Sequence, residues 1–326
     1  MIVLVSHTGD VHAPPVLAAL KARAAAVALV DTSAFPQRSA LRMRYGPGGA
    51  CDLVLEQADG PTVRARDVEA VWWRRPLPVE VHPAVTHPDH RRFAWEECDD
   101  ALWGFWLALD ARWVNHPSRY LAASRKPFQL RAAQAAGLAV PRTLVTNDPG
   151  EVRHFAEELS DRRVVFKSFT GSAPRHWETR FLRREELDQV DAVKYAPLIF
   201  QEYVPGYDVR ATVVGGRIFA ARIDARETAY PLDWRVDVQH TRIEPLELPP
   251  QIAERLRRLH RDLGLAYGAC DLRVTPDGEY VFLEVNPAGQ WLFVEHATGL
   301  PISACIADLL MGREAGRETG REAGRG

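Results

Sequence analysis

The stretch YVFLEVNPAGQW, residues 280 to 291, ends a strand-like apolar run on Glu284 and Asn286 before Pro287 and Gly289 break it. Residues two apart on a strand share a face, so this carboxylate and this amide point the same way. The preceding segment, GACDLRVTPDGE, supplies a partner strand, and Asp277-Gly278 reads as the turn between them. With those two residues as the loop, Asp271 falls directly opposite Glu284. Two carboxylates facing each other across a ladder repel, and a cation between them removes the objection. An all-oxygen set of Asp271, Glu284 and Asn286 suits magnesium, above all where phosphates complete the shell. The same residues permit a three-residue loop with a glycine bulge, and a one-residue slip reverses the faces. Taken in isolation, a solvated acidic hairpin is the plainer reading.

A triphosphate with magnesium needs further cations. Lys126 stands near a helix start and Lys167 within VVFKSF, a run so apolar that an unpaired buried ammonium there is costly. An edge position with a snorkelling stem is the alternative for each lysine. The segment IFQEYVPGYDVR adds a strand end, Gln201 to Val204, whose backbone groups suit an adenine edge. Glu202 and Asp208 then serve ribose hydroxyls or order the lysines, and Arg210 points toward the phosphates.

These residues need elements to hold them. IVLVS, PPVLAALKARAA and AVALVD read strand, helix, strand, which implies a small parallel sheet. No GxGxxG follows the first strand, so the dinucleotide fingerprint is missing. A long helix, RRFAWEECDDALWGFWLALD, carries Trp95, Trp103 and Trp106, expected as core. A boundary is placed near Pro117; Ser124 is expected to cap the next helix and Gly137 to end it. Beyond the strand bearing Lys167, SFTGSAPRHWETRF reads as a mobile loop. From residue 198 the pattern is antiparallel, with Gly215-Gly216 as a tight hairpin turn and PPQIAERLRRLHRDLG as an amphipathic helix. The closing GREAGRETGREAGRG has almost no apolar side chains and is expected to be disordered.

The totals narrow the field. Across 326 residues, 41 basic side chains nearly balance 43 acidic ones, which gives no electrostatic case for nucleic acid or an anionic membrane. No apolar run is long enough to span a bilayer, and MIVLVSHTGD reads as a first strand, not a signal peptide. Four scattered cysteines without a CxxC pair read as reduced thiols in a cytoplasmic chain.

The succession of Lys126, Lys167, QEYV, YDVRATVVGGRIFAA and CDLRV…FLEVNPAGQW resembles the ATP-grasp ligases over residues 115 to 311. A closer likeness, in VWWRRP, RWVNHP, KPFQLRAAQAAGLAVPRTLVTNDP, DWRVD and LEVNPAGQWLFVEHATGLPI, is to the microviridin-type peptide ligases, or graspetide synthetases. The resemblance implies an α/β (α+β) chain with an N-terminal parallel-sheet domain over 1–117. A central lid subdomain over 118–200 and a C-terminal antiparallel-sheet subdomain over 201–311 would follow, with the tail at 312–326. It implies ATP and Mg2+ as cofactors, Lys126 and Lys167 on the phosphates, and Gln201, Glu202, Tyr203 and Val204 lining the adenine site. Asp271, Glu284 and Asn286 become the metal ligands, in the register that faces the two carboxylates. The implied partner is a precursor peptide with a leader segment, bound near ARETAYPLDWRVD, and the implied assembly is a homodimer. The loop TGSAPRHWETR and the Gly-Arg-Glu tail have no counterpart in the family pattern.

The chemistry so implied is activation of a Glu or Asp side chain by ATP and capture of the acyl phosphate by a Ser or Thr hydroxyl or a Lys amine. Arg222, Arg235 and Arg210 are the candidates for steadying the acyl phosphate or the oxyanion; a surface ion pair is the alternative for each. Two other readings stay open at this point. An amino-acid ligase of the same fold would add residue mass to its product, and a non-catalytic nucleotide-binding module would bind ATP without releasing ADP.

Overall fold

The computed structural model describes residues 1–159, 163–169, 180–224 and 241–313. Arg235, most of the loop after Phe169 and the tail from residue 314 therefore lie outside the described residues.

The IVLV run forms β1 (Ile2–Val5), with every residue buried because both faces of the strand are covered. It is central in a parallel sheet with β2 (Val27–Val30) on one side and β6 (Ala70–Trp73), then β7 (Arg112–Val114), on the other. Helix α1 (Ala13–Ala22) opens on prolines, tolerated where its first N–H groups have no intrahelical partner. A second helix, α2 (Pro88–Leu107), links β6 to β7. A small antiparallel sheet of β3 (Ser39–Tyr45), β4 (Cys51–Gln57) and β5 (Val63–Arg64) is inserted after β2. The tryptophan expectation holds only for the C-terminal half of α2. Trp106 and Phe105 are buried, whereas Trp95 is 42% and Phe93 64% exposed.

Helices α3 (Pro117–Ala123) and α4 (Lys126–Ala135) follow. Ser124 does not cap α4: it closes α3, with its hydroxyl donating to the Tyr120 carbonyl, and Arg125 takes the N-cap position. Beyond α4 lies a four-stranded antiparallel sheet, β10 (Arg180–Phe181), β9 (Val164–Lys167), β11 (Leu198–Glu202) and β8 (Thr143–Thr146), in that order. Its apolar face, with Val164, Phe166 and Phe200, packs on α5 (Pro149–Leu159) and on the 3-10 segment Arg184–Tyr195.

The last sheet has the order β14 (Arg242–Leu246), β13 (Arg217–Asp224), β12 (Tyr207–Val214), β15 (Tyr267–Val274), β16 (Tyr280–Asn286), all antiparallel. Gly215 and Gly216, at φ 54° and 89°, make the two-residue turn between β12 and β13, both in the left-handed region that glycine takes without steric cost. One face of this sheet, with Val209, Leu272, Phe282 and Val285, buries against α4 and α6 (Pro250–Leu263). Helix α6 contributes Ile252, Leu256, Leu259 and Leu263, a stripe at helical spacing. At one end of the opposite face, Val214, Phe219 and Tyr267 pack with Trp291 and α8 (Ile302–Leu310) onto Leu4 and Trp72 of the first sheet. Farther along that face β12 and β15 carry Asp208, Arg210, Asp271 and Arg273. Helix α7 (Leu292–Thr298) lies between β16 and α8.

Candidate active site

The β15–β16 hairpin does not turn where the spacing suggested. Thr275 N–H donates to the Glu279 carbonyl and Gly278 N–H to that of Thr275, so the loop is Pro276 to Gly278, three residues, with Gly278 at φ 85°. That slips the pairing by one residue: Leu272 faces Phe282. An irregularity then follows between Asp271 and Leu272, where Leu283 is the extra residue on β16, and it slips the pairing back. Asp271 consequently faces Glu284, and Ala269 faces Asn286. The expected register holds at the three candidate ligands through two offsets that cancel.

Each carboxylate is met by a cation. Lys126, the first residue of α4, donates its ammonium to Glu284 Oε2. Burial alone would raise the Glu284 pKa; the charges of Lys126 and Lys167 outweigh it and draw the group down to about 2. Arg210 Nε lies 3.0 Å from Asp271 Oδ1, from the directly opposite position on β12. One step along the same ladder, Asp208 faces Arg273, which binds both its carboxylate oxygens at 2.7 Å. The two cross-strand pairs form a checkerboard on one face, the arrangement that turns cross-strand charge into attraction. Arg273 also donates to the Val204 carbonyl at 3.1 Å and to the Tyr203 hydroxyl at 3.3 Å. It thereby ties the segment joining β11 to β12 onto the strand that bears Asp271.

Lys167 ends β9 and Gln201 lies diagonally across the ladder on β11, on the same face. The Gln201 amide links them: its oxygen accepts from Lys167 Nζ at 3.3 Å and its nitrogen donates to Thr143 Oγ1 at 2.9 Å. Glu202, Tyr203 and Val204 instead border a cavity of about 620 Å3 shared with Pro141, Arg163 and Pro276. The four residues expected as one adenine-lining segment thus face two ways.

Arg222 is not brought to the carboxylates. It stands opposite Val209, and Arg210 is the next residue along β12, so the alternation of strand side chains puts Arg222 on the reverse face from Asp271. There it pairs with Asp224 at 3.0 Å and lies over the Tyr207 ring. Arg235 lies outside the described residues.

Sequence reasoning missed the groups that hold this site in place. Asn115, buried after β7, donates to the carbonyls of Tyr267 and Pro287 and accepts from Ala266 N–H and Tyr267 N–H. Arg74, fully buried beyond β6, pairs with Asp10 at 3.2 Å and donates to the carbonyls of Ala288 and Gly289, under the Trp291 ring. Arg74 and Arg75 in VWWRRP were the available signal, since a charge at the end of a buried strand needs a partner.

Among the described residues no group of three or more His, Cys, Asp or Glu is arranged to hold a metal, so the candidate set reaches three only through the Asn286 amide. Its donor chemistry nonetheless fits magnesium: all ligands are oxygens, and two carboxylates are opposed at a place where each already draws a cation. Asn286 Oδ1 accepts from Ala288 N–H at 3.0 Å, which orients the amide. Among the described residues, no helix is long and apolar enough to cross a membrane.

Two antiparallel sheets joined at a short segment, with a lysine brought from each side toward opposed carboxylates, define an ATP-grasp ligase. Comparison with known proteins agrees. Residues 1–120 match the family model described as the MvdD pre-ATP grasp domain. The macrocyclase MdnB from Microcystis aeruginosa MRC is 30% identical, with a TM-score of 0.79 over 95% of this chain and 98% of that one. Macrocyclase MdnC of the same organism, crystallised with its precursor peptide MdnA, is 29% identical, with a TM-score of 0.83 over 95% of this chain and 99% of its own. A Chryseobacterium gregarium RiPP-associated ATP-grasp ligase, in complex with ADP and a leader and core peptide, is 28% identical, with a TM-score of 0.87 over 96% of both chains. Among curated protein sequences none matches. The chain belongs to the family of RiPP-associated ATP-grasp ligases that includes these macrocyclases.

Proposed function

We propose that this chain closes rings in a ribosomally made precursor peptide, joining Glu or Asp side-chain carboxylates to Ser or Thr hydroxyls or to a Lys amine at the expense of ATP. The observation that carries the reading is its full-length likeness to macrocyclases, with Asp271 and Glu284 opposed beside Lys126. A leader-bearing peptide is the partner, and the reading includes a cytoplasmic homodimer.

A free carboxylate is a poor acyl donor because oxide would have to leave. In the proposed sequence a peptide carboxylate oxygen attacks the γ-phosphorus of ATP, the bond to the bridging oxygen breaks, and ADP departs. The hydroxyl or amine then attacks the acyl carbon, gives up its proton, and phosphate leaves, so each ring formed removes one water. Phosphoryl transfer asks the protein mainly for positioning and charge neutralisation. Lys126 and Lys167 approach from the helix and the strand on either side to share the phosphate charge. Magnesium, held by Asp271, Glu284 and Asn286, supplies Lewis-acid shielding of the phosphate oxygens when bound. Tyr203 and Val204 offer main-chain groups to the adenine edge, Gln201 orients Lys167, and Glu202 and Asp208 are the ribose candidates. Arg210, 7% exposed and on the carboxylate face, is the assigned oxyanion partner. Arg235 is a second candidate for that role; Arg222 is given none.

The test is ADP release with magnesium and ATP, offered the peptides encoded beside this gene. Release that depends on one such peptide supports the reading. Equal release with and without every peptide contradicts it.

A further inference from the structure

The amide of Gln129 does for strand β16 what a further strand would. β16 is the outer strand of its sheet, and among the described residues backbone meets its open edge only at the isolated Ala139 bridge, where Phe282 N–H donates to the Ala139 carbonyl at 2.8 Å. Gln129, 1% exposed on α4, accepts from Val285 N–H at 3.1 Å and donates to the Val285 carbonyl at 2.7 Å. Its second N–H goes to the Ala123 carbonyl at 2.5 Å, so both donors and the acceptor of the amide are engaged. Val285 is the residue between Glu284 and Asn286. Lys126 lies three residues before Gln129, and residues at that spacing share a helix face. Helix α4 therefore places an ammonium on Glu284 and an amide on the main chain of the next residue, as one rigid body.

We propose that Gln129 is a positioning residue for the magnesium-binding carboxylates: it fixes the backbone between Glu284 and Asn286, so that both side chains stay aimed at the face carrying Asp271. This rests on the magnesium reading of those three residues. A carboxylate at position 129 would accept from Val285 N–H and repel its carbonyl, and an apolar side chain would leave buried backbone groups unpaired.

The test uses the full chain and Gln129→Met, which keeps length and packing and loses the three hydrogen bonds. ADP binding is titrated at a series of magnesium concentrations and without magnesium, and hydrogen exchange is followed over residues 280–287. Leu159→Ala, in the separate core beneath the central sheet, serves as a destabilised control. Gln129→Met is expected to need about tenfold more magnesium for the same ADP affinity, the cost typical of losing a group that orients metal ligands. Its magnesium-free affinity should hold, the Val285 amide should exchange faster, and Leu159→Ala should show neither change. A magnesium requirement like that of wild type in Gln129→Met, at whatever melting temperature, overturns the proposal. If wild-type ADP binding itself ignores magnesium, the assignment of Asp271, Glu284 and Asn286 fails and this inference with it, an outcome distinct from failure in the variant alone.

Discussion

Lys126 and Glu284, 158 residues apart in sequence, meet in one ion pair, the helix side chain donating to the strand carboxylate. The pair fastens α4 to the edge of the last sheet and leaves Glu284 ionised in a setting where burial alone would favour its neutral form. Lys126→Met removes the nearest compensating charge, so the Glu284 pKa should rise from about 2. ADP release should fall by about 100-fold or more, as when a preorganised cation is lost from a charged transition state. Steady-state kinetics of the purified variant check this, and a loss under threefold would refute the phosphate role.

Arg210 and Arg222 stand on opposite faces of one sheet and should separate cleanly. Arg210→Ala leaves Asp271 without its 3.0 Å partner and should cost about 100-fold in turnover. Arg222→Ala breaks a partly exposed pair on the reverse face and should leave turnover within about threefold, because a lone ion pair away from the carboxylates contributes little. Kinetics of both variants under one set of conditions decide it.

Acid should destabilise the chain in two stages. His260 is buried on α6, and burial pushes its imidazole down from 6.5 to about 4. Between those values the unfolded chain binds the proton and the folded one does not, so stability is full above 6.5 and falls as pH drops toward 4. Glu284 has a folded value of about 2 against an ordinary 4.5, so its contribution is present above 4.5 and lost as pH falls toward 2. Melting temperatures across pH should show both windows, with His260→Gln flattening the upper and Glu284→Gln the lower.

Arg74 and Asp10 are both fully buried, and the guanidinium also holds the Ala288 and Gly289 carbonyls. Arg74→Met should cost about 3–5 kcal/mol, since it takes the guanidinium counter-charge from a buried carboxylate. Asp10→Asn in that background should recover part of the loss by removing the charge. Urea unfolding of the two variants measures both steps.

The parallel first sheet, the Gly215-Gly216 hairpin and the α6 stripe were legible because each follows from local pattern. The facing of Asp271 and Glu284 was legible for an incomplete reason: the turn is one residue longer than it read, and the bulge at Leu283 restores the register. No short-range signal encodes that bulge. The face that Arg222 occupies was not legible, because a basic residue in FAARID does not declare it until β13 is registered against β12. Gln129 and Asn115 went unread for one physical reason. Their partners lie 156 and 152 residues away, and each binds backbone groups, which carry no side-chain signature.

Ring closure is tested by the product mass of a peptide encoded beside this gene, incubated with magnesium, ATP and either wild type or Asp271→Ala. A macrocyclase should give a peptide lighter by one water for each ring, one ADP released per water lost, and unchanged peptide from Asp271→Ala. A peptide gaining the mass of an added residue would contradict ring closure, and full activity in Asp271→Ala would contradict the site.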